Sequence, residues 1–236
     1  ITRPEPFDRL ARALDALGQR LGDAKQAEEM QEQLRNDFLA NVSHELRTPV
    51  TVLRGSLEAL CDGVVQTPEQ ADAYHRQMLS ETRTLQRLVN DLMELARLQN
   101  ADFPMQKSML SLGEPLSDAI RSASQLARSK NIRINTALSS DPIPFPGDYG
   151  RLRQMFLTVL DNAVKYSPED TDVTVTLAPG EVTVRDQGPG IPQEELPMLF
   201  DRFRRARDAQ PREGSGLGLA IARQIAQRHG IAITVE

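Results

Sequence analysis

Asp161-Asn162-Ala163-Val164-Lys165-Tyr166-Ser167, Asp186-Gln187-Gly188-Pro189-Gly190-Ile191, Phe200-Asp201-Arg202-Phe203 and Gly214-Ser215-Gly216-Leu217-Gly218-Leu219 follow one another along the chain. Singly, each glycine cluster is a weak signal, because glycines usually serve turns. The last cluster opens a helical pattern. There, backbone without Cβ exposes N–H groups at the positive end of a helix dipole, an arrangement that favours a phosphate. No Gly-x4-Gly-Lys-Ser/Thr run is present, so this is not a P-loop. The spacing Gly-x-Gly-x-Gly is not the dinucleotide fingerprint, and the signatures of the eukaryotic-type protein kinases are missing. Arg202, Arg204, Arg205, Arg207 and Arg212 lie between the two glycine clusters. Basic charge there suits a segment closing over polyphosphate.

In order and content the four segments resemble the N, G1, F and G2 boxes of the catalytic domain of sensor histidine kinases, within the GHKL ATPase superfamily. The resemblance implies ATP and Mg2+ as ligands, with a role for each matching residue. Asn162 would be the magnesium ligand, its amide oxygen being a hard donor. Lys165 would offset phosphate charge, and Tyr166 would pack on the adenine. Asp186 would accept from the adenine amine, and Gly188 and Gly190 would let backbone approach the nucleotide. Arg205 stands where the family has an arginine that reaches the γ-phosphate. Gly214, Gly216, Leu217 and Gly218 would form the lid hinge and its exposed N–H groups. Two positions depart from the family. Thr158 stands where a further Asn is usual, at i−4 from Asn162, and Ile231 follows His229-Gly230 where a glycine is frequent. The chain stops at Glu236, before the last strands usual in the fold, so truncation is expected.

Upstream, Ser43-His44-Glu45-Leu46-Arg47-Thr48-Pro49 lies in a long helical pattern. At 100° per residue, Leu34, Phe38, Val42, Leu46, Pro49, Val50, Leu53, Leu57 and Leu60 fall within an arc of roughly 120°. His44 projects from the opposite side and is expected to face solvent, with Thr48 at i+4 beside it. Pro49 removes one backbone bond from this turn. These residues resemble the H box of the same family, and the run Leu88 to Leu98 resembles the second helix of its dimerisation and phosphotransfer hairpin. The resemblance implies that His44 attacks the γ-phosphorus through Nε2. Glu45 would accept the Nδ1 proton, and Thr48 would position a water for phosphatase action on a partner. That partner would be the receiver domain of a response regulator, phosphorylated on aspartate. Histidine suits the step because its unperturbed titration lies near neutrality.

Three regions are expected. Phe7 to Leu21 resembles the second helix of a HAMP signalling module, so residues 1–24 read as its end. Residues 25–103 read as the helical hairpin. Thr67 is a plausible N-cap before Pro68, and Leu85, Leu88, Leu92 and Leu95 alternate at three- and four-residue spacing. Two helices of roughly 30 residues, about 45 Å each, have a narrow core, which favours a four-helix bundle built from two copies of the chain. Residues 104–236 read as an ATP-binding α/β sandwich. Its expected helices are 112–130, 149–166 capped by Asp148, 193–200 and 216–229. Its expected strands are 132–136, 173–177 and 182–184, the last two joined through Pro179-Gly180, with another beginning at 231. Residues 139–147 read as a loop, and the sheet as largely antiparallel. The fold class is α+β.

Composition agrees with this reading. Of 236 residues, 39% are apolar and 26% charged, which is a globular balance. The net charge of −5 gives no field for nucleic acid. The single cysteine, Cys61, excludes an intrachain disulfide. No apolar run approaches the roughly 20 residues that span a bilayer. With Ile1 in place of Met, the chain is expected to be the cytoplasmic portion of an inner-membrane sensor, touching membrane only through segments outside it. Two rivals are a catalytically weak homologue acting as phosphatase or docking scaffold, and a GHKL ATPase of the chaperone or topoisomerase type.

Overall fold

The computed structural model describes residues 6–100, 102–204 and 215–235. The chain divides into two compact units, Ile1–Glu81 and Thr82–Glu236. The division falls inside a helix.

The first unit is built on α1 (Pro6–Cys61) and the start of α2 (Pro68–Gln99). α1 is one helix of 56 residues, longer than the expected 30. Gly22 does not interrupt it. A single glycine costs a helix about 1 kcal/mol, which neighbouring Leu, Gln, Arg, Ala and Lys offset. Pro49 is also carried inside the helix and is buried. The turn behaves as its residues dictate. The Thr67 hydroxyl accepts from the Gln70 N–H at 3.2 Å. In return the Gln70 side chain accepts from the N–H of Gln66 at 3.1 Å and of Thr67 at 3.4 Å. This reciprocal cap starts α2 at Pro68. Among the described residues no helix is long and apolar enough to cross a membrane.

The second unit contains the rest of α2, then β1 (Ser108–Ser111), α3 (Gly113–Ser129), β2 (Arg133–Leu138), β3 (Pro144–Gly147), α4 (Tyr149–Tyr166), β4 (Asp172–Ala178), β5 (Glu181–Arg185) and α5 (Gly218–His229). The strand order is β2-β4-β5 in one sheet and β1-β3 in a second. α3 packs on α4, and α4 on α5. The core is legible in the spacing: Leu116, Ala119, Ile120, Ala123 and Ala127 on α3, Leu152, Met155, Phe156, Leu160 and Val164 on α4, and Val173, Val175 and Leu177 alternating on β4. Each fully buried large side chain contributes roughly 1.5–3 kcal/mol.

Four expectations need correction. The sheet is mixed rather than largely antiparallel, because β2 pairs β4 parallel from Arg133↔Asp172 to Leu138↔Leu177. A helix, α4, intervenes between them, and a helical crossover returns the chain in the same direction. The expected loop 139–147 ends in β3, antiparallel to β1 with Met109 opposite Pro146. Prolines are tolerated because a two-stranded ladder is all edge. Residues 193–200 form only a short 3-10 turn, Leu196–Met198, since Pro197 supplies no N–H to propagate a helix. Residues 231–235 are assigned no strand, because they pair with none of the described strands. The Ile231 N–H instead closes on Ala226 O at 2.9 Å, terminating α5 at Gly230.

The start of α4 is held from several directions. The Asp148 carboxylate accepts from the N–H of Arg151 at 3.1 Å and of Gln106 at 2.9 Å. The Asp148 N–H donates to Nε2 of the buried His229 at 2.9 Å, whose Nδ1 lies 2.8 Å from Ile225 O. These partners fit only the neutral ring with its proton on Nδ1. Burial is the main force pushing the His229 pKa below its ordinary 6.5; the Ile225 carbonyl opposes it, and nearby Lys107 adds to it. A lowered value means the stabilisation is complete above pH 6.5 and is lost as pH falls through the folded value beneath it. The Tm is therefore expected to drop on acidification from neutrality. His229→Gln should start lower and flatten that slope. An unchanged slope in thermal melts would remove His229 as its source.

Candidate nucleotide and phosphoacceptor sites

The phosphoacceptor candidates sit on α1 in the first unit. The His44 side chain is 75% exposed, as its angular position requires. Glu45 Oε1 lies 3.9 Å from His44 Nδ1, near enough for a small rotation to complete a hydrogen bond. The Thr48 hydroxyl donates to His44 O at 3.3 Å, and the Ser43 hydroxyl to Leu39 O at 2.8 Å. Pro49 brings no N–H to the turn that ends on Glu45.

The nucleotide candidates sit in the second unit and converge on α4. Asn162 donates through its amide nitrogen to Thr158 O at 3.0 Å, leaving the amide oxygen to take another partner. Thr158 donates backward to Gln154 O at 3.0 Å, so the hydroxyl that replaces the family's usual amide bonds its own helix. Lys165 Nζ lies 5.0 Å from the centre of the Tyr166 ring. Burial raises the pKa of neighbouring Asp161.

Beyond β5, Asp186 Oδ1 accepts from the Gly188 N–H at 2.8 Å, which leaves the second oxygen for a ligand. A Cβ on Gly188 would lie 2.9 Å from that Oδ1 and 3.1 Å from Tyr166 O. Only glycine lets this loop lie against the end of α4. At Gly190 the same construction meets nothing within 4 Å, so that side of the loop is open. These features fit an adenine nucleotide: one fixed carboxylate, an aromatic ring and exposed backbone. Among the described residues no three His, Cys, Asp or Glu side chains cluster to hold a metal. A magnesium ion would therefore depend on the Asn162 amide and on phosphate oxygens.

The two segments flanking residues 205–214 meet at Phe203 and Gly216. Phe203 N–H donates to Gly216 O at 2.9 Å, joining the F-box and G2-box segments. Ser215 donates to Asp91 Oδ2 at 2.7 Å and accepts from the Leu217 N–H at 3.2 Å. Leu217 is fully buried, so any part it takes with a ligand is through its backbone. Gly218 begins α5 against the Thr158 methyl, its would-be Cβ 3.2 Å away. Arg205, Arg207, Arg212 and Gly214 lie outside the described residues.

Several residues of this neighbourhood carry no local signal in the sequence. Asp91 on α2 meets Ser215, and burial pushes its carboxyl above the usual range while the Ser215 donor partly offsets that. Glu94 on α2 pairs with Arg151 of α4. The Arg228 guanidinium donates to Asn100 O at 2.8 Å and Phe103 O at 2.7 Å. Together these fasten the end of α2 to the rest of the second unit.

Comparison with known proteins matches two parts of the chain to two domain families. Residues 34–101 match the His Kinase A (phospho-acceptor) domain, and residues 147–236 the histidine kinase-, DNA gyrase B- and HSP90-like ATPase. The sensor histidine kinase WalK of Bacillus subtilis is 33% identical over 225 residues, 92% of this chain and 36% of that protein. The Acinetobacter baumannii histidine kinase AdeS has a structure similar at TM-score 0.61 and 26% identity, covering 78% of this chain and 86% of that one. Full-length ShkA, solved in complex with AMPPNP, is similar at TM-score 0.58 and 32% identity, covering 84% of this chain and 41% of that one. The chain spans between about a third and a half of the relatives it matches in sequence.

Proposed function

Because the chain belongs to the sensor histidine kinases, with their phosphoacceptor hairpin and ATPase-like domain, we propose that it transfers the γ-phosphoryl group of ATP to His44 and then to an aspartate of a response regulator. The carrying observation is the convergence of Asn162, Tyr166, Asp186, Gly188 and Gly218 on α4, in a chain that also presents an exposed His44 beside Glu45. Residues 1–24, 25–103 and 104–236 are the three regions in this reading, the first a HAMP-like signalling helix. The membrane-anchored parent it implies belongs to the same proposal.

Nε2 of the neutral ring forms the new P–N bond as the bond from phosphorus to the ADP oxygen breaks. As positive charge develops on the ring, Glu45 takes the Nδ1 proton. Asp186 and Tyr166 hold the adenine, and Lys165 and the first N–H groups of α5 face the phosphates. Arg205 is the candidate to meet the γ-phosphoryl group. Positioning and charge supply most of the catalysis in such transfers. Magnesium, held by Asn162, would add charge neutralisation at the phosphates. The test is incubation with Mg2+ and γ-labelled ATP. Label that resists base and is released by acid supports the kinase. Free phosphate without label supports a GHKL ATPase instead. A second reading, a weak kinase acting chiefly as phosphatase through Thr48, is favoured by Thr158 bonding its own helix. It predicts nucleotide binding with little label.

The hairpin is proposed to dimerise. Leu39, Val50 and Leu57 are each about half exposed and lie along one line of α1, on the edge of its buried stripe. Such a line needs a partner, and a second copy supplies a matching one. Leu57→Glu with Val50→Glu is expected to halve the mass seen in sedimentation. An unchanged mass counts against this interface.

A further inference from the structure

We propose that Lys130 is a positioning residue for the adenine end of the nucleotide site. The inference rests on the nucleotide reading above and extends it to a side chain outside the four boxes. Lys130 lies at the C-cap of α3. Its ammonium donates to three carbonyls at the end of α4: Val164 at 3.2 Å, Ser167 at 3.3 Å, and Lys165 between them. An ammonium has three donors, and all three are used. The last carbonyls of a helix lack partners within it and carry its negative dipole end, so a cation there is favoured twice over.

The bonded carbonyls of Lys165 and Ser167 flank Tyr166, the residue proposed to pack on the base. The Tyr166 carbonyl is the atom against which Gly188 lies, and Gly188 N–H fixes Asp186. One ammonium therefore sets the main chain on which both the stacking ring and the base-reading carboxylate depend. Lys130 is itself held in place. Its carbonyl accepts from the Asp170 N–H at 3.2 Å, and Asn131 adds a side-chain bond to the Asp170 carboxylate. Arg133 N–H then closes on Thr171 O at 3.1 Å, starting the β2–β4 ladder. The turn after α3 and the loop after α4 are thus braced together, with the ammonium as the brace that reaches the site.

The consequence is selective. Loss of the ammonium loosens the base-reading side and leaves the phosphate-binding start of α5 in place. Lys130→Met is expected to weaken MgATP binding to this chain about tenfold while changing MgGTP binding by less than about twofold, a narrowing of base discrimination. Lys130→Arg, which keeps the charge and several donors, should restore most of the ratio. Lys130→Gln, which keeps one donor group, serves if the methionine variant does not fold. Val173→Ala, a cavity in β4, provides a variant of lowered Tm with an unchanged ratio. Calorimetric titration of ATP and GTP reads the result. A lowered Tm with an unaltered ATP-to-GTP ratio in the Lys130 variants overturns the positioning role while leaving the nucleotide reading intact. An unsubstituted chain that binds no adenine nucleotide overturns both.

Discussion

His44→Ala is expected to carry no label after incubation with Mg2+ and γ-labelled ATP, under conditions where the unsubstituted chain is labelled. The rate falls by more than about a thousandfold, because removing the nucleophile removes the reaction rather than weakening it. No neighbour can substitute. The hydroxyls of Ser43 and Thr48 are committed to backbone carbonyls of their own helix. A serine or threonine ester would also survive acid, where a phosphoramidate does not. His75, on α2, lacks an acidic neighbour in the following position, so His75→Ala should label normally. Glu45→Gln should slow labelling by roughly a hundredfold, the usual range for losing a proton acceptor held near the reacting ring. Acid-labile label persisting in His44→Ala would overturn the assignment.

What could be read from the sequence is what short stretches decide by themselves. The Thr67 cap, the Asp148 cap, the β4–β5 hairpin at Pro179-Gly180 and the exposure of His44 depend on residues within a few positions of each other. The four boxes could be read as a resemblance for the same reason, since each bundles its residues into a handful of neighbours. What escaped is the set of contacts between distant segments made by residues that look like ordinary surface charges. Lys130 reads as a helix-end lysine until the end of α4 is beside it. Arg228 reads as a solvated arginine until the carbonyls of Asn100 and Phe103 meet it. The β1–β3 ladder was hidden by prolines that usually deny a strand. The parallel pairing of β2 with β4 depends on where α4 returns the chain, which neither strand records.

The same contrast bears on the lid. Gly216→Ala is expected to lower ATP affinity by about a hundredfold or more while leaving the helical unit and the label-accepting residue untouched. Gly216 has φ +69, a conformation that L side chains adopt at a cost of roughly 1–2 kcal/mol. Here the steric cost is larger than that intrinsic one. An alanine Cβ would lie 2.8 Å from Phe203 Cα, 2.9 Å from its carbonyl carbon and 3.1 Å from Arg204 O. All three are backbone atoms, which cannot rotate aside as a side chain can. Phe203 is itself held at φ +62 and donates to Gly216 O, so relief requires breaking that bond. Opening it displaces Ser215 from Asp91 and shifts the N–H groups at the start of α5 that are to meet phosphate. The loss should therefore fall on the triphosphate end. Inorganic tripolyphosphate binding should drop alongside ATP, the reverse of the base-selective change expected at Lys130. Calorimetric titration of both ligands into the variant decides it. Unaltered tripolyphosphate affinity with a normal melt would mean that the Phe203–Gly216 junction does not shape the phosphate site.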